Sequence, residues 1–176
     1  MEPTTQSSAI NNGLYLGAIL SVITVLIYAI NLDLFTEWWL GIILFVLILA
    51  YGVISAIKSR KILNGFISFK QAFTSYFITI AVGTFISTVV GIAIFAFIDP
   101  EAATYLNEQT LILMKQTMER FKMPEEAMLA TLEEAATKNN FSLGIQSQSF
   151  VFRLAFYALI GLIISLIVKK TDDKEA

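Results

Sequence analysis

The sequence predicts an all-α integral membrane bundle of four transmembrane helices, with a helical extramembrane segment between spans 3 and 4. Three observations predict it. Apolar residues make up 56% of the 176 and mean hydropathy is +0.72, whereas soluble domains hold roughly 45–50% apolar residues. Charged residues fall to 15%, against about 25% in soluble chains. The apolar residues are also gathered into four runs, at about 13–30, 38–57, 73–98 and 150–168. Each is near the roughly 20 residues that a helix needs to cross ~30 Å of hydrocarbon.

A chain of this length is read as a single membrane domain, 1–176. Before span 1 stands MEPTTQSSAINNG. It has no Lys or Arg, so it lacks the basic region of a secretory signal and span 1 is read as retained. NLDLFTE, 31–37, is short enough for a tight hairpin into span 2, which opens on Trp38 and Trp39. Rings of that kind favour the membrane interface. No Asp, Glu, Lys or Arg interrupts the first three spans.

Between spans 2 and 3 lies KSRKILNGFISFKQAF, 58–73, in which every charge is positive: Lys58, Arg60, Lys61 and Lys70. Asn64-Gly65 reads as a helix stop, because glycine takes the left-handed conformation without a Cβ clash and the preceding bases favour the negative end of the helix dipole. Ser68 followed by Gln71 fits a capping box. Helix 2 is therefore expected to stop near Asn64 and helix 3 to start near Phe69.

After span 3, Asp99-Pro100-Glu101 reads as a capped helix start with proline at the first helical position. The 99–149 segment carries eight acids against four bases, a net of −4. Leu111, Met114, Met118 and Phe121 recur at helical spacing on one face. Pro124 interrupts, and a second helix with Met128, Leu129 and Leu132 on one face runs to about Lys138, where Asn139-Asn140 ends it.

Basic residues in short loops stay on the cytoplasmic side. The 58–73 corner and the tail, with Lys169, Lys170 and Lys174, hold such residues, and the 31–37 hairpin, with Asp33 and Glu37, holds none. The expected topology has both termini and the corner inside, and the 31–37 and 99–149 segments outside. The basic corner would also attract anionic headgroups, at about 1 kcal/mol per Lys or Arg.

Within the spans the clearest spacing is of small residues: Gly13, Gly17 and Ser21; Ser75, Thr79, Gly83, Ser87 and Gly91; Gly161 and Ser165. Small residues four apart let helix backbones approach closely, and in lipid packing drives association. Such stripes serve either to pack one chain together or to dock a second copy or another membrane protein. Arg153 lies near the lip of span 4. It is expected at the outer surface, snorkelling, paired with Asp33, Glu37 or Asp99, or holding an anion.

The chain has no Cys and no His, which removes disulfides, thiolate sites and the commonest general base and metal ligand. Glu125-Glu126 and Glu133-Glu134 match no calcium-loop spacing and read as a solvated face. Met114, Met118, Met123 and Met128 read as flexible packing rather than copper(I) ligands. No cofactor or metal site and no catalytic constellation is expected. The net charge of −2 gives no basic field for nucleic acid.

GFISFKQAFTSYFITI at the start of span 3, with NNGLYLGAI near the N-terminus and FIDP closing span 3, resembles the Bacteroidetes four-span membrane protein family catalogued as domain of unknown function 4199. The resemblance covers about residues 10 to 170. It implies a bacterial inner-membrane location with a periplasmic 99–149 segment, and it supplies no catalytic residues. The expected function is a non-enzymatic accessory or scaffold subunit of an inner-membrane complex, with the bilayer and another membrane protein or a second copy as partners. The alternative is a small oligomeric transporter or channel.

Overall fold

The computed structural model describes residues 4–170; Lys174 lies outside them. Helix α1 (Thr5–Ile30) begins eight residues before the apolar run, because the Thr4 hydroxyl accepts the Ser7 amide at 3.1 Å. Its added turns are packed, with Ala9 and Asn12 buried. A 3-10 turn (Leu32–Thr36) leads to α2 (Trp38–Ile62). The corner forms as its residues dictate. Asn64 and Gly65 take φ of 57° and 94°, and the Gly65 amide closes onto the Arg60 carbonyl at 2.9 Å. Both arms of the Ser68–Gln71 capping box are made, at 3.0 and 3.3 Å.

Helix α3 (Phe69–Ile92) continues through a π-helical stretch (Ala93–Ile98). The Asp99 carboxylate then caps α4 (Pro100–Arg120) by accepting the Ala102 amide at 2.9 Å. Helix α5 (Glu125–Ala136) follows Pro124, and α6 (Leu143–Val168) starts seven residues ahead of its apolar run on the Ser142 cap. Among the described residues there is no strand, only an isolated antiparallel bridge in which Ile67 and Lys170 exchange both backbone hydrogen bonds, at 2.9 and 3.0 Å. Among the described residues four helices are long and apolar enough to cross a membrane: Thr5–Ile30, Trp38–Ile62, Phe69–Ile98 and Leu143–Val168.

Helix α3 is the hub, packed against α1, α2 and α6. The bundle has a corner end, with residues 63–68 and the last turn of α6, and a hairpin end, with residues 31–37 and the α4–α5 pair. Packing at the corner end is close. The Tyr76 ring is fully buried between two glycines: an added Cβ would lie 2.6 Å from it at Gly52 and 2.5 Å from it at Gly161. Gly13 and Gly17 of α1 meet Val82 and Ile86 of α3 in the same way, and Gly83 of α3 meets Leu16 of α1.

Hydroxyls tie three helices together there. Thr79 Oγ1 lies 2.9 Å from the Ala9 carbonyl and 2.7 Å from Ser55 Oγ, which is 3.2 Å from the Ser75 carbonyl. With one proton on each hydroxyl, these contacts interchange rather than fill all at once. Ser165, also fully buried, donates back to the Gly161 carbonyl at 2.6 Å.

The basic corner is partly structural. Lys58 Nζ donates to Asn12 Oδ1 at 2.8 Å, and Arg60 reaches the Val168 carbonyl at 3.5 Å. Lys61 and Lys70 are exposed, and the Lys170 ammonium sits 5.7 Å from the centre of the Phe66 ring.

The hairpin end is built differently. Ala102, Ala103 and Leu106, at the root of α4, form a second small core with Ile94 and Phe95. Beyond Leu106 no residue of α4 or α5 is buried. Helix α5 packs on α4 and on no other element to a comparable extent.

Candidate functional site: a cavity at the hairpin end

Between the four spanning helices at the hairpin end lies a cavity of about 410 Å³. Thr84, Ser87, Thr88 and Gly91 of α3 line it at intervals of three and four residues, the spacing of a single helix face. Leu20 and Thr24 come from α1, Leu44, Phe45 and Ile48 from α2, and Arg153 and Tyr157 from α6. Phe35, Phe95 and Phe141 line its hairpin-end side. Phe95 lies edge-on to Phe35 at 5.4 Å between ring centres and tilts onto Phe141 at 4.9 Å. Gly41 and Gly91 keep the space open: a Cβ at either would meet nothing within 4 Å.

The floor is the packed corner end. Phe45 stacks on Tyr157 at 5.9 Å, and below them the Tyr76 ring fills the space between α2 and α6. Toward the corner end the cavity lining stops at Ile48 and Tyr157.

Arg153 is the one formal charge in the lining. Taking Lys169 and Lys170 as the edge of the apolar layer at the corner end, Arg153 stands about 22 Å along α6 from Val168. In a ~30 Å layer it lies one to two turns inside the hairpin-end edge. Its Nη2 donates to Thr88 Oγ1 at 3.2 Å.

The expected ion pair is not formed. Neither ion pair among the described residues includes Arg153, because two of the three candidate carboxylates are held elsewhere. Tyr28 Oη donates to Asp99 Oδ2 at 3.0 Å, and Tyr105 donates to Asp33. Glu37 starts α2 without a side-chain cap bond, and it too makes no bridge to Arg153 among the described residues. The Ala102 amide and then the Tyr28 hydroxyl hold the Asp99 carboxyl below the usual carboxylate range. The hydrogen bond to Asp33 pushes the Tyr105 hydroxyl up.

The small residues divide between two surroundings. Gly13, Gly17, Thr79, Gly83 and Gly161 sit at helix seams, and Ser75 and Ser165 are buried. Ser21 is half-buried with no hydrogen bond to its hydroxyl. Ser87 and Gly91 leave the seam and face the cavity. A four-residue step turns a helix by about 400°, so a run spaced by four drifts ~40° per step and about 160° from Ser75 to Gly91.

The glutamates Glu125, Glu126, Glu133 and Glu134 are exposed on α5, and Glu134 pairs with Lys138 at 2.6 Å. Met123 is exposed, and Met114, Met118 and Met128 are half-buried along the α4–α5 pair. Of the cavity residues, sequence reading singled out only Ser87, Gly91 and Arg153. The signal that finds the rest of the α3 face is the 84–87–88–91 spacing.

The family model described as Protein of unknown function (DUF4199) matches residues 11–170. No curated protein and no solved structure matches the chain.

Proposed function

The chain belongs to the DUF4199 family of proteins of unknown function, and from its architecture we propose that it is a non-enzymatic accessory or scaffold subunit of a membrane complex. One observation carries this reading. The α4–α5 pair is rooted in the bundle at the base of α4, through Ala102, Ala103 and Leu106 and the Tyr105–Asp33 hydrogen bond, and an apolar groove of about 350 Å³ runs between its arms, lined by Leu111, Ile112, Leu129 and Leu132. Ile112 and Leu129 remain 48% and 52% exposed, an arrangement suited to a partner's apolar surface.

The test is recovery of native-membrane complexes in mild detergent at endogenous expression, with the wild type and Ile112→Glu/Leu129→Glu side by side. A stoichiometric partner lost in the double variant, at unchanged melting temperature, supports the reading. Recovery of the chain alone, as a defined oligomer, counts against it.

The proposed location is a bacterial inner membrane, with both termini and the basic corner cytoplasmic. The absence of Cys makes this direct to test. An impermeant maleimide added to intact cells should label Thr137→Cys and leave Lys61→Cys untouched; the reverse pattern would invert the topology.

A second reading, a small oligomeric transporter or channel, is favoured by the cavity itself. Toward the corner end its lining stops at Ile48 and Tyr157, so a pathway would need rearrangement or a second copy. Solute flux in liposomes that is lost in Gly91→Leu, whose side chain would enter the cavity, would support it.

A further inference from the structure

We propose that the hairpin-end cavity is a binding site for an anionic amphiphile, with a phosphate-type oxyanion on Arg153, Ser87 and Thr88 and the attached chain along Leu44, Phe45 and Ile48. The site is independent of the groove between α4 and α5.

Three features lead there. The first is an unmatched charge. A cation one to two turns inside the apolar layer is costly and normally has a partner, yet the Arg153 guanidinium touches only the neutral Thr88 hydroxyl. Arginine carries five N–H donors in a planar fork that fits phosphate or carboxylate oxygens two at a time, so most of its donor capacity remains available. The side chain reaches across to α3 at a residue that itself lies on the cavity face.

The second feature is the donor set beside it. Ser87 and Thr88 are adjacent in sequence and both line the space into which Arg153 opens. The Thr88 oxygen accepts from Arg153, which leaves its proton to donate. A cation with hydroxyl donors and no carboxylate in the lining selects for negative charge. A zwitterionic headgroup would add an ammonium close to Arg153, with no carboxylate in the lining to pair it.

The third is room of the right character. The volume, about 410 Å³, lies within the range of ligand pockets. Most of its wall is apolar, and Gly41 and Gly91 face it without neighbours. Such a wall suits the hydrocarbon attached to the headgroup rather than a bare ion.

The experiment uses the full chain in nanodiscs made from equal parts of phosphatidylglycerol and phosphatidylcholine, repurified in mild detergent, with retained lipid counted by mass spectrometry. The wild type is expected to retain phosphatidylglycerol about tenfold over phosphatidylcholine, because both offer phosphate oxygens to Arg153 and only phosphatidylcholine adds an ammonium that the guanidinium repels. Arg153→Gln and Gly91→Leu are both expected to bring the ratio near one. Arg153→Lys should keep part of the preference. Gly91→Leu places its side chain in open space and leaves the charge intact, so it separates loss of the site from loss of fold.

Lys61→Gln/Lys70→Gln, at the exposed corner, should leave the ratio unchanged. In parallel, inorganic phosphate is titrated against the melting temperature of delipidated protein. A rise in the wild type that is absent in Arg153→Gln, without lipid preference, assigns the same site to a soluble oxyanion and removes the amphiphile. Equal retention in the wild type, Arg153→Gln and Gly91→Leu, with no phosphate effect, overturns the site altogether.

Discussion

At the corner end of the bundle an aromatic ring fills the gap between two glycines, whereas at the hairpin end two glycines face open space. Gly52 and Gly161 let α2 and α6 close on Tyr76. Gly41 and Gly91, on α2 and α3, meet nothing and line a cavity that holds Arg153. The same residue type brings helices together in one half and holds room in the other. What differs is what stands opposite: a large ring at one end, and at the other nothing within 4 Å. A membrane bundle gains its stability from van der Waals contact, so the corner-end half is expected to hold the fold and the hairpin-end half to tolerate change.

The largest effect tests the packed half. Tyr76→Ala should cost about 3–5 kcal/mol, the usual range for emptying a fully buried aromatic site, read as reversible unfolding in mixed micelles. Tyr76→Phe should be neutral or stabilising, because the Tyr76 hydroxyl is buried without a hydrogen-bond partner and its loss leaves no orphan behind. A Phe variant as damaged as the Ala variant would show that an unseen partner for the hydroxyl, and not ring packing, holds this half. Gly161→Ala comes next, at about 1–3 kcal/mol for overpacking, since its Cβ would press on the Tyr76 ring.

Thr79→Val should lose about 0.6–1.7 kcal/mol, the range measured for hydrogen bonds between membrane helices. Thr79 is the hydroxyl that α1 and α2 share. A Ser55→Ala change in the same background should then add little, because the two side chains act through one linked set.

Asp99 belongs to the hairpin-end half, where it ties α1 to the root of α4, and its effect depends on pH. Its folded pKa is depressed by the Ala102 amide and the Tyr28 hydroxyl. It therefore contributes stability that is present above the unfolded carboxyl value, near pH 4, and is lost as pH falls toward the folded value. Asp99→Asn keeps the Ala102 cap through Oδ1, can meet the Tyr28 oxygen only by donating from Nδ2, and does not titrate. The acid limb of the wild-type melting curve below about pH 4 should be shallower in this variant, and superimposable limbs would mean that other carboxylates govern acid unfolding.

The packed half was more legible in the sequence than the open one, for a physical reason. Helix stops and starts are local: Asn64-Gly65, Ser68 with Gln71, and Asp99-Pro100 each act within a few residues, so their geometry followed from sequence alone. Gly13, Gly17, Gly83 and Gly161 were also readable, because a small residue in an apolar span has few uses besides close approach. Two elements were not. The early start of α1 at Thr5 depends on Asn12 and Ala9 finding α2 and α3, which polarity in the sequence disguises. The cavity depends on where a stripe spaced by four drifts off the seam, and Ser87 and Gly91 look identical in pattern to Ser75 and Gly83. The fate of Arg153 turned on two tyrosines, Tyr28 and Tyr105, that take its expected partners from positions more than 70 residues away from them in sequence.

The smallest effect is the most discriminating, because it has the opposite sign. Gly91→Ala places a methyl group in open space and removes the conformational freedom that glycine loses on entering a helix, which favours alanine by up to about 1 kcal/mol. Gly161→Ala has the same propensity gain and loses it to the clash with Tyr76. The two substitutions are chemically identical, both lie inside spanning helices, and they should move the unfolding free energy in opposite directions. If Gly91→Ala is instead as damaging as Gly161→Ala, the hairpin-end space is filled in the bilayer by something pressed against α3. Repeating the measurement after exhaustive delipidation then separates the two fillers, since a bound amphiphile would leave with the lipid and a second copy of the chain would not.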